Sequence, residues 1–296
     1  MRSIEPGFSG AQLRPIVRLF EAPRNDGEDV VRAWLVLFMI ALTSPASAAD
    51  IKVMAAGSLK EPFTAIFADF TRQYGGSFAP VYGPSGALRE RLQKGEAFDV
   101  FASAALPHAQ ALTDAGISGP SILFARNALC AVTEASRPLE PGNLIETLLK
   151  PDIKFGTSMP VSDPAGDYTW EMFHKIDALK PGAFGMLSQK AQQLFGGPTT
   201  TAPVQGKPRL LVALDDHEID LFIYYCSGAQ QIVRESDRYK SVALPPELTV
   251  GPEYGLTVSR KAQAAAADFA MYMMSPQAQP TLKSFGFIPV TLPAAQ

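Results

Sequence analysis

Two serines, Ser58 and Ser85, stand at the same kind of junction, and chemistry enters the sequence there. The first follows Ile51-Lys52-Val53-Met54-Ala55-Ala56, an apolar run of strand type, in a Gly57-Ser58 turn, and a helical pattern opens at Lys60. The second lies in Tyr82-Gly83-Pro84-Ser85-Gly86-Ala87, again strand, turn, serine, helix. The first turn of a helix carries backbone N–H groups without intrahelical acceptors, and a serine there adds a hydroxyl donor. Two such turns facing one another make a cage for a small anion. A single serine at a helix start is ordinarily a cap; the pairing of two within one cleft is what favours a ligand. A third junction is Asp163-Pro164-Ala165-Gly166, with aspartate at the N-cap and proline at the first helical position.

Other chemistries find little support. The 296 residues carry 26 basic and 29 acidic side chains, a net charge of -3 without long runs of either sign. That argues against nucleic-acid binding and against a polybasic membrane surface. His108, His174 and His217 fall on separate elements and read as surface or helix-face residues. With the two cysteines they are too few for a Cys/His zinc site. Asp215-Asp216-His217-Glu218 reads as a solvated turn in preference to a metal cluster. No histidine or metal-ligand set accompanies the serines, so an enzyme is the weaker alternative, and no cofactor is expected. A regulator's effector domain would bring a helix-turn-helix where this chain has a secretion-type segment.

Residues 31–42 are basic and then apolar, and Thr43-Ser44-Pro45-Ala46-Ser47-Ala48 follows with an Ala-x-Ala ending. This is the layout of a secretory signal cleaved after Ala48 or Ala49, which places the mature protein in the periplasm. An apolar core of roughly 10 residues is short of the ~20 that span a bilayer. Residues 1–28 precede the signal; either they form a long n-region or translation starts near Val30 or Val31, the reading we favour. In an oxidising compartment Cys130 and Cys226 are compatible with a disulfide and with two thiols.

The elements that must position the serines alternate between strand and helix. Phe63, Ile66, Phe67, Phe70 and Tyr74 fall on one helical face, which Gly75-Gly76 stops. Residues 78–82 form a strand, 85–93 a helix with Leu88 and Leu92 inward, 99–103 a strand and 107–115 a helix. Such alternation predicts βαβ units and parallel strands. Residues 122–132 are a long extended run, suited to a strand that leaves one domain for another. A strand at 154–157 and a helix carrying Trp170, Phe173 and Ile176 follow, then a Gly/Pro/Thr-rich loop at 196–208. A helix begins near Leu210, and a buried strand at 220–226 is followed by a Ser227-Gly228 turn. Strands at 241–244 and 254–258 flank a proline-broken crossover, and helices at 262–274 and 276–285 close the chain. Two crossovers imply an inserted second domain and a hinge, with a ligand cleft between the lobes.

Several of these segments together resemble a family. Ala55-Ala56-Gly57-Ser58-Leu59, Gly83-Pro84-Ser85-Gly86, Asp99-Val100-Phe101-Ala102-Ser103-Ala104, Phe124-Ala125-Arg126-Asn127, Pro164-Ala165-Gly166 and Asp220-Leu221-Phe222-Ile223-Tyr224-Tyr225 are similar, in the same order, to the periplasmic molybdate-binding proteins of ABC importers. The resemblance runs from about Asp50 to Val290. It implies an α/β, two-lobed periplasmic binding protein fold of two parallel or mixed sheets joined by two crossover strands. Residues 50–128 and 252–296 would form lobe 1, and 129–251 the inserted lobe 2. It also implies a monomer that captures molybdate or tungstate, with sulfate or an organic acid as alternatives, and passes it to an importer permease. In that family serine hydroxyls, backbone N–H groups and a tyrosine hydroxyl hold the oxyanion; by position these are Ser58, Ser85, Ala165 and Tyr225. A cage made only of donors selects a fully ionised dianion, because hydrogen phosphate needs an acceptor. Two departures bear on the ligand: Asp163 brings a carboxylate to the site, and Lys207, if near it, a cation.

Overall fold

The computed structural model describes residues 50–197 and 207–291. The expected signal segment, its cleavage point and most of the Gly/Pro/Thr-rich loop lie outside these residues. Among the described residues no helix is long and apolar enough to cross a membrane.

The chain opens with β1 (Ile51–Ala56), a 3-10 turn at Gly57–Leu59 and α1 (Lys60–Tyr74), followed by β2 (Phe78–Gly83), α2 (Ser85–Gln93), β3 (Val100–Ser103), α3 (Leu106–Asp114) and β4 (Ile122–Arg126). Strand β1 is interior and largely apolar, and pairs in parallel with the edge strand β2 on one side and β3 on the other. The register sets Ala56 opposite Gly83 and Ala55 opposite Ala102, so the turns bearing Ser58 and Ser85 leave the same sheet edge side by side. That edge, beyond the C-terminal ends of parallel strands, is where open α/β sheets bind ligands.

Helix α1 buries Phe63, Ile66, Phe67 and Phe70, as its spacing predicts, but Tyr74 is 59% exposed. Tyr74 sits in the last turn and covers Phe70 and Tyr272 from outside. The ring of Phe269, fully buried, meets Phe63, Phe70 and Phe78 edge-on. Edge-to-face pairs of this kind add roughly 0.5–1.5 kcal/mol each to the burial itself.

At Asn127 the chain crosses into a second sheet. There follow β5 (Leu129–Glu134), α4 (Leu144–Leu149), β6 (Phe155–Ser158), α5 (Pro164–Leu179), α6 (Ala183–Lys190) and β7 (Gln192–Phe195), then α7 (Arg209–Asp215), β8 (Leu221–Tyr225), α8 (Cys226–Glu235) and β9 (Tyr239–Ala243). Residues 244–252 return to the first sheet as β10 (Glu253–Val258), and α9 (Ala264–Met273), α10 (Ala278–Ser284) and β11 (Ile288–Pro289) follow. The sheets run β11-β4-β10-β3-β1-β2 and β7-β6-β8-β5-β9, each mixed, and the whole is the two-lobed α/β fold with two crossovers. The crossovers touch, with the Asn127 N–H donating to the Pro252 carbonyl at 3.0 Å.

Two sequence expectations change here, the turn after Tyr225 and the surface placing of His108, and the open question of the cysteines is answered. The segment after Tyr225 is the helix α8, where a turn at Ser227-Gly228 was expected. Tyr225 pairs with Leu129, the first residue of β5, so the ladder ends there and the chain is free to coil. The cysteines are joined, Cys130 of β5 to Cys226 at the head of α8, across a sequence separation of 96. Of the histidines, His108 is buried, 8% exposed, with its Nδ1 3.1 Å from an Arg89 guanidinium nitrogen. Burial, and then the Arg89 charge, push its pKa down.

Candidate oxyanion site

Neither serine is a cap. Pro84 holds the N-cap position of α2, of which Ser85 is the first residue, and neither Ser58 nor Ser85 makes a side-chain cap bond. Their hydroxyls are engaged from behind instead. The Ala104 N–H donates to Ser85 Oγ at 3.0 Å, which leaves the Ser85 O–H proton to be given elsewhere. Ser58 Oγ lies 2.9 Å from the Tyr254 hydroxyl, itself 3.4 Å from the Asn127 side-chain amide that donates to it. A Tyr254 hydroxyl that accepts from Asn127 can donate to Ser58, and the Ser58 proton is then also free. Both serines line one cavity of about 280 Å³.

The second lobe supplies the facing wall: Ser158, Asp163, Phe195, Gly196 and Tyr224. Ser158 ends β6 just as the other serines follow their strands, a signal present in the sequence but not used there. Gly196 has φ 82°, and a Cβ on it would lie 2.7 Å from that of Asp163, so only glycine lets this turn pack on the aspartate. The Ser162 hydroxyl donates to the Gly196 carbonyl and pins the two turns together.

Asp163 does two things at once. It caps α5, its Oδ1 accepting the Ala165 N–H at 3.1 Å, and it is also part of the cavity wall. Burial pushes its carboxyl pKa up, against the Ala165 N–H and the Ser158 hydroxyl, while Asp167 adds to the push. The departure named from the sequence is therefore in the wall: the cavity contains a carboxyl group, and the donor-only cage that the resemblance implies is not what the structure has. No lysine, arginine or histidine lines it among the described residues. Lys207 is paired with Asp215, which also takes Arg238, and Glu218 is paired with Arg209, so two of the acids of that turn are held by cations.

The structure thus brings Ser58 and Ser85 together at the cavity. Ala165 is buried behind Asp163 with its N–H occupied. Tyr224, not Tyr225, lines the wall; burial and then Asp163 push its hydroxyl pKa up to about 12. Tyr225, on the other face of β8, is 3% exposed with its ring against Tyr254. Its hydroxyl has no hydrogen-bond partner among the described residues, and burial, then Tyr254, hold its pKa well above the ordinary value.

The lobes meet at the rim of this cavity. The Gly86 N–H in the first turn of α2 donates to the Ser162 carbonyl at 3.0 Å. A Cβ on Gly86 would come within 2.2 Å of the Val161 carbonyl oxygen. Val161 has φ 70° and is 70% exposed at the tip of that turn, its N–H held by Asp167.

Residues 51–288 match the family described as bacterial extracellular solute-binding protein. The chain belongs to that family. Protein PM1146 of Pasteurella multocida is 30% identical to this solute-binding protein over 240 residues, 81% of this chain and 98% of the relative. Among solved structures it is similar to the periplasmic molybdate-binding protein of Azotobacter vinelandii, with TM-score 0.66 and 16% identity over 83% of this chain and 100% of that one. It is also similar to the sulfate-binding protein SubI of Mycobacterium tuberculosis, with TM-score 0.66 and 20% identity over 81% of this chain and 87% of that one. At such identities these structures speak for the fold alone.

Proposed function

We propose that the exported protein, freed of a signal peptide near Ala48 or Ala49, captures a tetrahedral oxyanion in the cleft and delivers it as a monomer to an ABC importer permease. Molybdate and tungstate are the first candidates, with sulfate or a small organic anion as the alternative. The proposed ligand set is the hydroxyls of Ser58 and Ser85 between a lobe of residues 50–128 and 252–296 and one of 129–251; Tyr225 and the backbone at Ala165, the other two members that the resemblance implies, lie off the cavity wall, and Tyr225 is tested below. The observation that carries the reading is the pair of serine hydroxyls, Ser85 accepting from the Ala104 N–H and Ser58 bonded to the Tyr254 hydroxyl, both facing one cavity without a cation. A hydrogen bond to a charged partner is worth roughly 1.5–3 kcal/mol net, so a handful supports sub-micromolar capture after ordering costs.

Calorimetry of the processed protein against molybdate, tungstate, sulfate and phosphate tests this. Ser85→Ala weakens the best of these by about ten-fold or more. An unchanged affinity takes Ser85 out of the site. Tyr225→Phe removes a buried hydroxyl that has no partner. It raises the stability of the free protein by about 1 kcal/mol or more, and a ligand role predicts a loss of about ten-fold in affinity. A variant that binds as tightly as the parent assigns Tyr225 to the core.

A further inference from the structure

An oxyanion in this cavity shares it with Asp163, and nothing cationic lines the wall to offset the two. Like charges a few ångströms apart in a desolvated site cannot both stay ionised. Each other group acting on the carboxyl is acidic or neutral. Asp167 lies on the same helix, Ser158 ends β6, Tyr224 and Tyr225 stand on β8 and Tyr254 on β10. From lobe 1, α2 brings Arg89 and α3 brings His108, but Arg89 is engaged with His108, and the acid that His108 feels is Asp167. Asp163 Oδ1 accepts the Ala165 N–H, so a proton shared with the ligand goes on the other carboxyl oxygen, with the Ser158 hydroxyl beside the group.

Resting on the oxyanion reading above, we propose that one proton is held between the Asp163 carboxyl and an oxygen of the bound oxyanion. Where Asp163 is ionised in the free protein, a fully ionised dianion is therefore taken up together with a proton from solvent; where the carboxyl is already protonated, it supplies that proton itself. A hydrogen-bearing oxyanion brings its own and donates it to the carboxylate. No other charge changes hands: the complex has one proton more than ionised Asp163 plus a dianion, whichever partner supplied it. The site then discriminates by proton count as well as by size, and the carboxyl is the element that reads it.

The test uses the processed protein with molybdate, tungstate, sulfate and inorganic phosphate, by calorimetry from about pH 5 to pH 8. Infrared difference spectra of each complex accompany it. In the complex of any dianion that binds, a protonated-carboxyl band is present, and it is lost in Asp163→Asn, a residue that still caps the helix. Above the pH at which Asp163 ionises in the free protein, dianion affinity falls about ten-fold per pH unit, with one proton taken up per ligand. Phosphate affinity stays level there until its own second ionisation, and in Asp163→Asn the dianion slope disappears. Binding of phosphate alone among the four also supports the proposal. A dianion complex in which Asp163 is an ionised carboxylate overturns it and leaves oxyanion capture standing. Failure of all four to bind at any pH overturns both.

Discussion

Gly86→Ala weakens ligand capture by about a hundred-fold, equivalent to ~2.7 kcal/mol, while leaving the fold intact. The new methyl group would lie 2.2 Å from the Val161 carbonyl oxygen, a backbone atom that cannot swing aside as a side chain does. The contact between the Gly86 N–H and the Ser162 carbonyl, at 3.0 Å, is lost with it. Gly86 itself sits in the first turn of α2 without a positive φ, so alanine is tolerated when the lobes stand apart. The effect then falls on closure and not on folding, and a ligand that binds only the closed form loses affinity in proportion to the population of that form. Titration and small-angle scattering check it: the variant stays expanded at ligand concentrations that compact the parent. A variant that closes and binds normally removes this rim contact from the mechanism.

Loss of the Cys130–Cys226 bond produces the largest change in stability. The bridge closes a loop with a sequence separation of 96, for which loop-closure entropy alone gives about 4–5 kcal/mol. The paired change Cys130→Ala with Cys226→Ala lowers the unfolding free energy by roughly that amount, read from denaturant unfolding with the parent held oxidised. Equal midpoints for the two proteins would show that the bond does nothing for stability. The bridge also joins β5 to the first residue of α8, so its loss loosens the helix packed beside the crossover.

Much of the frame is legible in the sequence because β1 is a short apolar run, the helices α1 and α2 keep a helical period, and a glycine stands at or within two residues of the end of β1, α1, β2 and α2. The same regularity exposes Ser58 and Ser85. Legibility fails where an element is short or its signal is shared. Helices α4 and α6 are 6 and 8 residues long and β7 only 4, too brief for a period to show. The polar Ser227-Gly228 pair reads as a turn, and only the end of the β5–β8 ladder makes it helix. Tyr224 and Tyr225 lie on opposite faces of β8, and sequence spacing alone does not say which face meets the cavity. Asp163 carries a plain N-cap signature, and only its place beside Ala165 in the order of the resembling segments, not a local pattern, points its carboxylate to the site. Tyr74 and His108 depart from expectation for a like reason, since tertiary neighbours set their exposure.

Asn127 lies on the outgoing crossover and Tyr254 just beyond the returning one, and the two share a hydrogen-bond chain with Ser58. Asn127 also holds the head of α8 through Ser227. Catch and pivot are therefore built from the same atoms. On the proposed reading, any load placed on Ser58 by cargo is felt at the axle without an intermediate lever.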